Sequence, residues 1–131
     1  SHALMDFKVI ALERDEYDQW VDDMLAVEAE ETAANAEAGY EVFQENACIN
    51  CHAIGGEGMA TGPTLTNFGD RQKFAGVYDI DNDEELANWI RNPEELKQGN
   101  NMPPHDISDD DMEDLIAYLR SLQVRPTDSD Y

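Results

Sequence analysis

Apolar positions along the chain follow a helical period in four places and a strand-like run in one. Phe7-Lys8-Val9-Ile10-Ala11-Leu12 is short, β-branched and apolar, which predicts a strand. No partner strand follows it, so it is expected to belong to a larger sheet from which it was cut. Tyr17, Trp20, Val21, Met24 and Leu25 then fall on one face of a helix that Asp15 can cap, with Asp18, Asp22 and Asp23 on the other side. Val27 to Ala38 is rich in Ala and Glu, with good helix propensity and little to bury, and reads as a linker. A second helix is expected from about Ala33 to Asn46, presenting Gly39, Tyr40 and Phe43. A third carries Leu86, Trp89 and Ile90, opens at Asn82 or Asp83 and stops at Asn92-Pro93. The last opens at Ser108, carries the stripe Met112, Leu115, Ile116, Leu119 and Leu122, and has Tyr118 beside it. From Pro126 the chain is a polar tail, expected to be disordered.

Charge sharpens this picture. Eight Lys and Arg face 30 Asp and Glu, a formal net charge of −22. That excludes nucleic acid and an anionic membrane surface as partners, and suits a basic partner or an alkaline or salty exterior. At 131 residues the chain is one domain with an appendage. No apolar run is long enough to span a bilayer and no signal peptide opens the chain. Ser1-His2-Ala3-Leu4-Met5 reads as an excised beginning, so a membrane segment is expected upstream of it.

The chemistry is concentrated at Cys48-Ile49-Asn50-Cys51-His52, because Cys-x-x-Cys-His is the attachment pattern of a c-type haem. Two thiols one turn apart can add to the two vinyl groups on one porphyrin edge, and His52 can then offer its imidazole to the iron. Both cysteines are used in this way, which leaves no second pair for a zinc site and none for a disulfide. Gly62-Pro63-Thr64-Leu65 follows; the Pro63 carbonyl is free to accept from the far nitrogen of His52, or Pro63 is an ordinary loop proline. Asn101-Met102-Pro103-Pro104 supplies a soft thioether on a loop stiffened by two prolines, fifty residues beyond His52, far enough to cross to the opposite haem face. Met59, in a Gly-rich loop, is the second choice of distal ligand, and His105 is close enough to replace Met102 under strain or altered pH. Met24 and Met112 read as core. The Trp89 indole N–H suits a haem propionate, and Arg71, Lys73 and Arg91 are cations that can pair with one.

Together these residues resemble the class I cytochrome c family over about Ala33 to Val124. The resemblance implies an all-α fold around a covalent haem c, with His52 and Met102 as axial ligands, a Pro63 carbonyl bond to His52, and Gly39 facing Tyr118 where the first and last helices cross. Gly62-Pro63-x-Leu65-x-x-Phe68-Gly69-x-Arg71 more narrowly resembles the cytochrome domain fused to cytochrome c oxidase subunit II in Bacillus-type bacteria. His2-x-x-Met5, the expected strand and Tyr17-x-x-Trp20 resemble the end of that subunit's binuclear copper domain, in which the matching His and Met are copper ligands. The bridging cysteines that should precede His2 are missing, so no binuclear copper is expected here. The division implied is 1–32 as a strand-plus-helix copper-domain remnant with linker, 33–124 as the cytochrome domain and 125–131 as tail. The function implied is one-electron transfer on the extracytoplasmic face of a bacterial plasma membrane. Electrons would arrive from a donor cytochrome or a membrane donor and leave for the copper domain of the oxidase, with residues 26–38 as tether. A stand-alone soluble carrier, or a haem peroxidase or gas binder with an open sixth position, are the alternatives.

Overall fold

The computed structural model describes residues 3–32 and 36–125. Six α-helices are present in that span: α1 (Arg14–Ala26), α2 (Ala29–Thr32), α3 (Glu37–Glu45), α4 (Asp83–Arg91), α5 (Pro93–Leu96) and α6 (Asp109–Ser121). Short 3-10 turns occupy Cys48–Asn50 and Phe68–Asp70. A small antiparallel hairpin pairs β1 (Lys73–Phe74) with β2 (Tyr78–Asp79), in the register Lys73 to Asp79 and Phe74 to Tyr78. The chain is therefore mostly helical, with one two-stranded sheet that the apolar pattern did not predict.

The core lies where α3 meets α6. Val42 and Phe43 pack from one helix, and Leu115, Tyr118, Leu119 and Leu122 from the other, all buried. A Cβ on Gly39 would stand 2.1 Å from the Asp114 carbonyl oxygen and 2.6 Å from Tyr118 Cβ, so only hydrogen fits and the two helix backbones approach closely. The Tyr118 ring sits 5.7 Å from Phe43 and 5.5 Å from Tyr40, the latter edge-on. Local chemistry starts both later helices. Asn82 Oδ1 accepts from the Glu85 N–H at 3.1 Å, and Ser108 Oγ accepts from the Asp111 N–H at 3.2 Å while donating to the Asp111 carboxylate. Asn92-Pro93 ends α4, and the proline opens α5 at its first position, where its missing N–H costs nothing.

The N-terminal expectations need correction. Phe7 to Leu12 is not a strand: it runs extended, and the bond that holds its beginning is a single one, from the Asp6 N–H to the Gly76 carbonyl at 2.9 Å. An isolated strand has no second strand to pair with and is not stable alone. The copper-domain remnant is accordingly not seen as a strand-plus-helix unit, and His2 lies outside the described residues. The following helix starts at Arg14, one residue before Asp15; the Glu13 N–H donates to the Glu16 carboxylate, and Asp15 sits in the first turn. No residue of α1 is buried. The second helix begins at Glu37 rather than Ala33; positions 33–35, and the expected tail 126–131, lie outside the described residues.

Candidate cofactor site

The Cys-x-x-Cys-His stretch leaves α3 through Ala47, whose φ of 55° is left-handed, and winds at once into the 3-10 turn. The Cys51 and His52 N–H groups both donate to the Cys48 carbonyl, at 3.1 and 2.9 Å. Two thiols and an imidazole are thus carried on one tight turn. Both thiols are free and half-buried. Burial pushes the Cys48 thiol up to about 11, with the neighbouring Cys51 adding to the effect, so it stays protonated at neutral pH.

His52 is held by what it donates to. Its Nδ1 lies 2.8 Å from the Pro63 carbonyl oxygen. A carbonyl only accepts, so Nδ1 carries the proton and Nε2 keeps its lone pair. The ring lies where a side chain at position 62 would be: a Cβ on Gly62 would stand 2.7 Å from His52 Cε1, so the imidazole fits only because that residue is glycine. The Pro63 segment is itself braced. The Gly62 N–H donates to the Cys51 carbonyl at 2.7 Å, and the Leu65 N–H and Thr64 hydroxyl both donate to Ala53. Thr64 and Thr66 share a hydroxyl–hydroxyl bond of 2.8 Å, and Thr66 Oγ1 accepts from the Gly55 N–H. These two threonines were not singled out in the sequence, and Thr66 is the buried polar side chain of the brace, 3% exposed.

Arg71 joins this group from the side. Its Nη2 donates to the Thr64 carbonyl, its guanidinium lies 5.8 Å from the Phe68 ring centroid, and burial lowers its pKa. Trp89 belongs to a different cluster, half-buried with its ring 6.5 Å from Phe74, which in turn stacks on Tyr78 at 5.4 Å. Met102 is partly buried and packed against the core. Its loop is tied back to the body: Asn100 Oδ1 accepts from the Met102 N–H at 2.9 Å, the Glu94 carboxylate accepts from the Gly99 N–H, and the His105 N–H donates to the Ile90 carbonyl. Burial lowers the His105 pKa, with His52 adding in the same direction. Met59 instead sits 58% exposed, and Met112 is buried in α6.

Chemically, two adjacent free thiols and an imidazole with one committed nitrogen suit a porphyrin held by two thioether bonds and one axial nitrogen. The fit rests on the His52–Pro63 bond and on the space that Gly62 leaves beside the ring. No helix among the described residues is long and apolar enough to cross a membrane.

Comparison with known proteins bears on the same residues. A family model described as cytochrome c matches residues 36–123. Over 125 residues the chain is 61% identical to cytochrome c oxidase subunit 2 of Alkalihalophilus pseudofirmus, a match covering 95% of this chain and 36% of the relative. With the same subunit of Bacillus subtilis it is 35% identical over 131 residues, again 95% and 36%. A nitric oxide reductase subunit from Halomonas halodenitrificans is 38% identical over 84 residues, 63% of this chain and 55% of the relative. The chain spans about a third of the length of the oxidase subunits it matches.

Proposed function

Given that the chain belongs to the cytochrome c family, an electron-transfer family whose members carry covalent haem c, we propose that it works as the one-electron carrier of an oxygen-reducing respiratory oxidase. When bound, the haem supplies an iron that cycles between the ferric and ferrous states. Everything else is done by this chain. Cys48 and Cys51 would hold the haem covalently, His52 Nε2 and the Met102 thioether would ligate its iron, and the Pro63 carbonyl keeps His52 in the tautomer that can do so. With both positions filled, substrate has no place to bind, so the domain transfers electrons and does no bond chemistry. Arg71 steadies the Pro63–Thr64 segment through the Thr64 carbonyl, and it and the Trp89 indole are the groups that would pair with the haem propionates.

What supports the oxidase setting is the 61% identity to a subunit 2. In that setting electrons arrive from a donor cytochrome or a membrane donor. They leave for the copper domain and the other subunits of the same complex, on the extracytoplasmic face of the membrane. The short His52–Pro63 hydrogen bond of 2.8 Å is the observation that carries the reading. It is tested on the haem-loaded chain. The ferric protein is expected to show a far-red sulfur-to-iron band that Met102→Ala abolishes and Met59→Ala leaves intact, and Met102→Ala is expected to admit cyanide rapidly. Loss of the band in Met59→Ala instead would move the ligand to that loop. Rapid cyanide binding by the unaltered chain would replace the carrier with an open-site enzyme or gas binder.

A further inference from the structure

Residues 27–38 look in the sequence like a free tether, yet the first half of that stretch is seated on the domain. Ala29 is 0% exposed although it stands in an Ala- and Glu-rich run. Its N–H donates to Glu57 Oε1 at 3.3 Å. Three residues on, the Thr32 hydroxyl lies 2.6 Å from the Ala29 carbonyl and 2.9 Å from the Tyr118 hydroxyl, whose ring is fully buried between α3 and α6. On the upstream side the Val27 carbonyl crosses Gly55 so closely that a Cβ there would stand 1.9 Å from the oxygen; Gly55 also has a φ of +57°, so both space and backbone call for glycine. Gly55 and Glu57 belong to the loop that begins three residues after His52, and the Gly55 N–H is bound to the Thr66 hydroxyl of the brace behind Pro63.

We propose that Val27–Thr32 is a strap, docked at one end on the Gly55–Glu57 loop and at the other on Tyr118, which fixes the direction in which α1 and whatever precedes it leave the domain. The contacts that hold it are two hydrogen bonds, the buried Ala29 methyl group, the part-buried Val27 side chain and one backbone crossing, none of them a charge pair. Acidic Glu28 flanks the seat and Glu57 is itself acidic, so Coulomb attraction between side chains is not what seats the segment. The strap also joins Tyr118 of α6 to the loop beside His52, two parts of the domain that lie far apart along the chain. On the electron-carrier reading its consequence is that the domain meets its upstream partner in one pose instead of searching on a loose chain. The strap itself does not depend on that reading.

The test is native-state hydrogen exchange on the haem-loaded 131-residue chain. Ala29 and Thr32 amides are expected to exchange at least about tenfold more slowly than an unstructured peptide. In Thr32→Val combined with Glu57→Ala that protection should fall by about tenfold, while the Leu115 and Leu119 amides of α6 keep theirs. A glutamyl-specific protease should cut the double variant after Glu28 about tenfold faster than the parent. Tyr118→Phe, which keeps the buried ring and deletes only the hydroxyl, should loosen Thr32 in the same direction. Unprotected Ala29 and Thr32 amides in the parent chain, with α6 protected, would overturn the strap. So would full protection surviving in the double variant, since the named bonds would then not be what holds it. Neither outcome touches the ligand assignment, which the far-red band reads separately.

Discussion

Two helices of this chain have the same thirteen-residue length and a comparable apolar stripe, and they end in opposite situations. In α6, Met112, Leu115, Ile116, Tyr118 and Leu119 are all buried. In α1, nothing is: Leu25 is 77% exposed, Tyr17 is exposed, and just upstream Phe7 is 85% exposed. The Trp20 indole N–H is shielded from water with no hydrogen-bond partner. Amphipathic spacing reports that a helix has a face to bury, and says nothing about which body it is buried against. The α6 face meets a partner within this chain, at Gly39 and Phe43. In the α1 stripe Trp20, Val21 and Met24 are only part-covered and Tyr17 and Leu25 stay exposed, as do Leu4, Met5, Phe7 and Val9, and exposed apolar surface of that extent belongs with an interaction.

The largest test of the contrast is truncation in the two stripes. Phe43→Ala should cost about 3–5 kcal/mol in a denaturant titration, whereas Leu25→Ala should stay within about 0.5 kcal/mol. A Leu25 effect near the Phe43 value would show that α1 is as much part of the folding unit as α6.

A smaller effect comes from alkali. Burial pushes the Tyr118 phenol up to about 12, partly offset by its Thr32 bond. The unfolded chain gives up this proton near pH 10 and the folded chain near 12, so stability from this group is complete below pH 10 and declines as pH rises toward 12. The expected loss is roughly 2–3 kcal/mol across that window. Tyr118→Phe should flatten that part of the stability–pH curve; an unchanged slope would place the alkaline weakness elsewhere.

The smallest effects compare the helix starts. Ser108→Ala removes a cap from a helix that carries the core and should cost about 1 kcal/mol. Arg14→Ala removes an exposed pair with Asp18, 2.9 Å long, and should leave the thermal midpoint unmoved. A clear shift from Arg14→Ala would mean that α1 is held more firmly than its exposure suggests.

What could be read from the sequence follows from how local its cause is. Asn82 and Ser108 were recognisable as helix starts because a cap needs only its own next turn. The close approach of Gly39 to Tyr118 was reachable through the family resemblance, since a glycine in a helix is otherwise merely tolerated. The Phe7–Leu12 strand failed for the opposite reason: a strand exists only with its neighbour, and β-branched composition cannot supply one. The hairpin at Lys73–Asp79 was missed although Ala75 and Gly76, both at positive φ, mark its turn. At the candidate site the motif residues were legible, whereas Glu57, Thr32 and the Thr64–Thr66 brace were not. Their roles depend on segments far apart in sequence coming together, and a run such as Ala29 to Ala36 has no periodicity to announce that one alanine will be covered.

The acceptor beside His52 is a main-chain oxygen, and this has a bearing on how the site can change. Replacing residue 63 with any other amino acid alters the stiffness of the loop but leaves a carbonyl at that point in the chain. A scan that swaps side chains one at a time would therefore pass over the group that sets the imidazole's proton. Its position answers to the route the backbone takes, so the proton on His52 is set through chain neighbours such as Thr64 and Thr66, whose hydroxyl bonds keep that route in place.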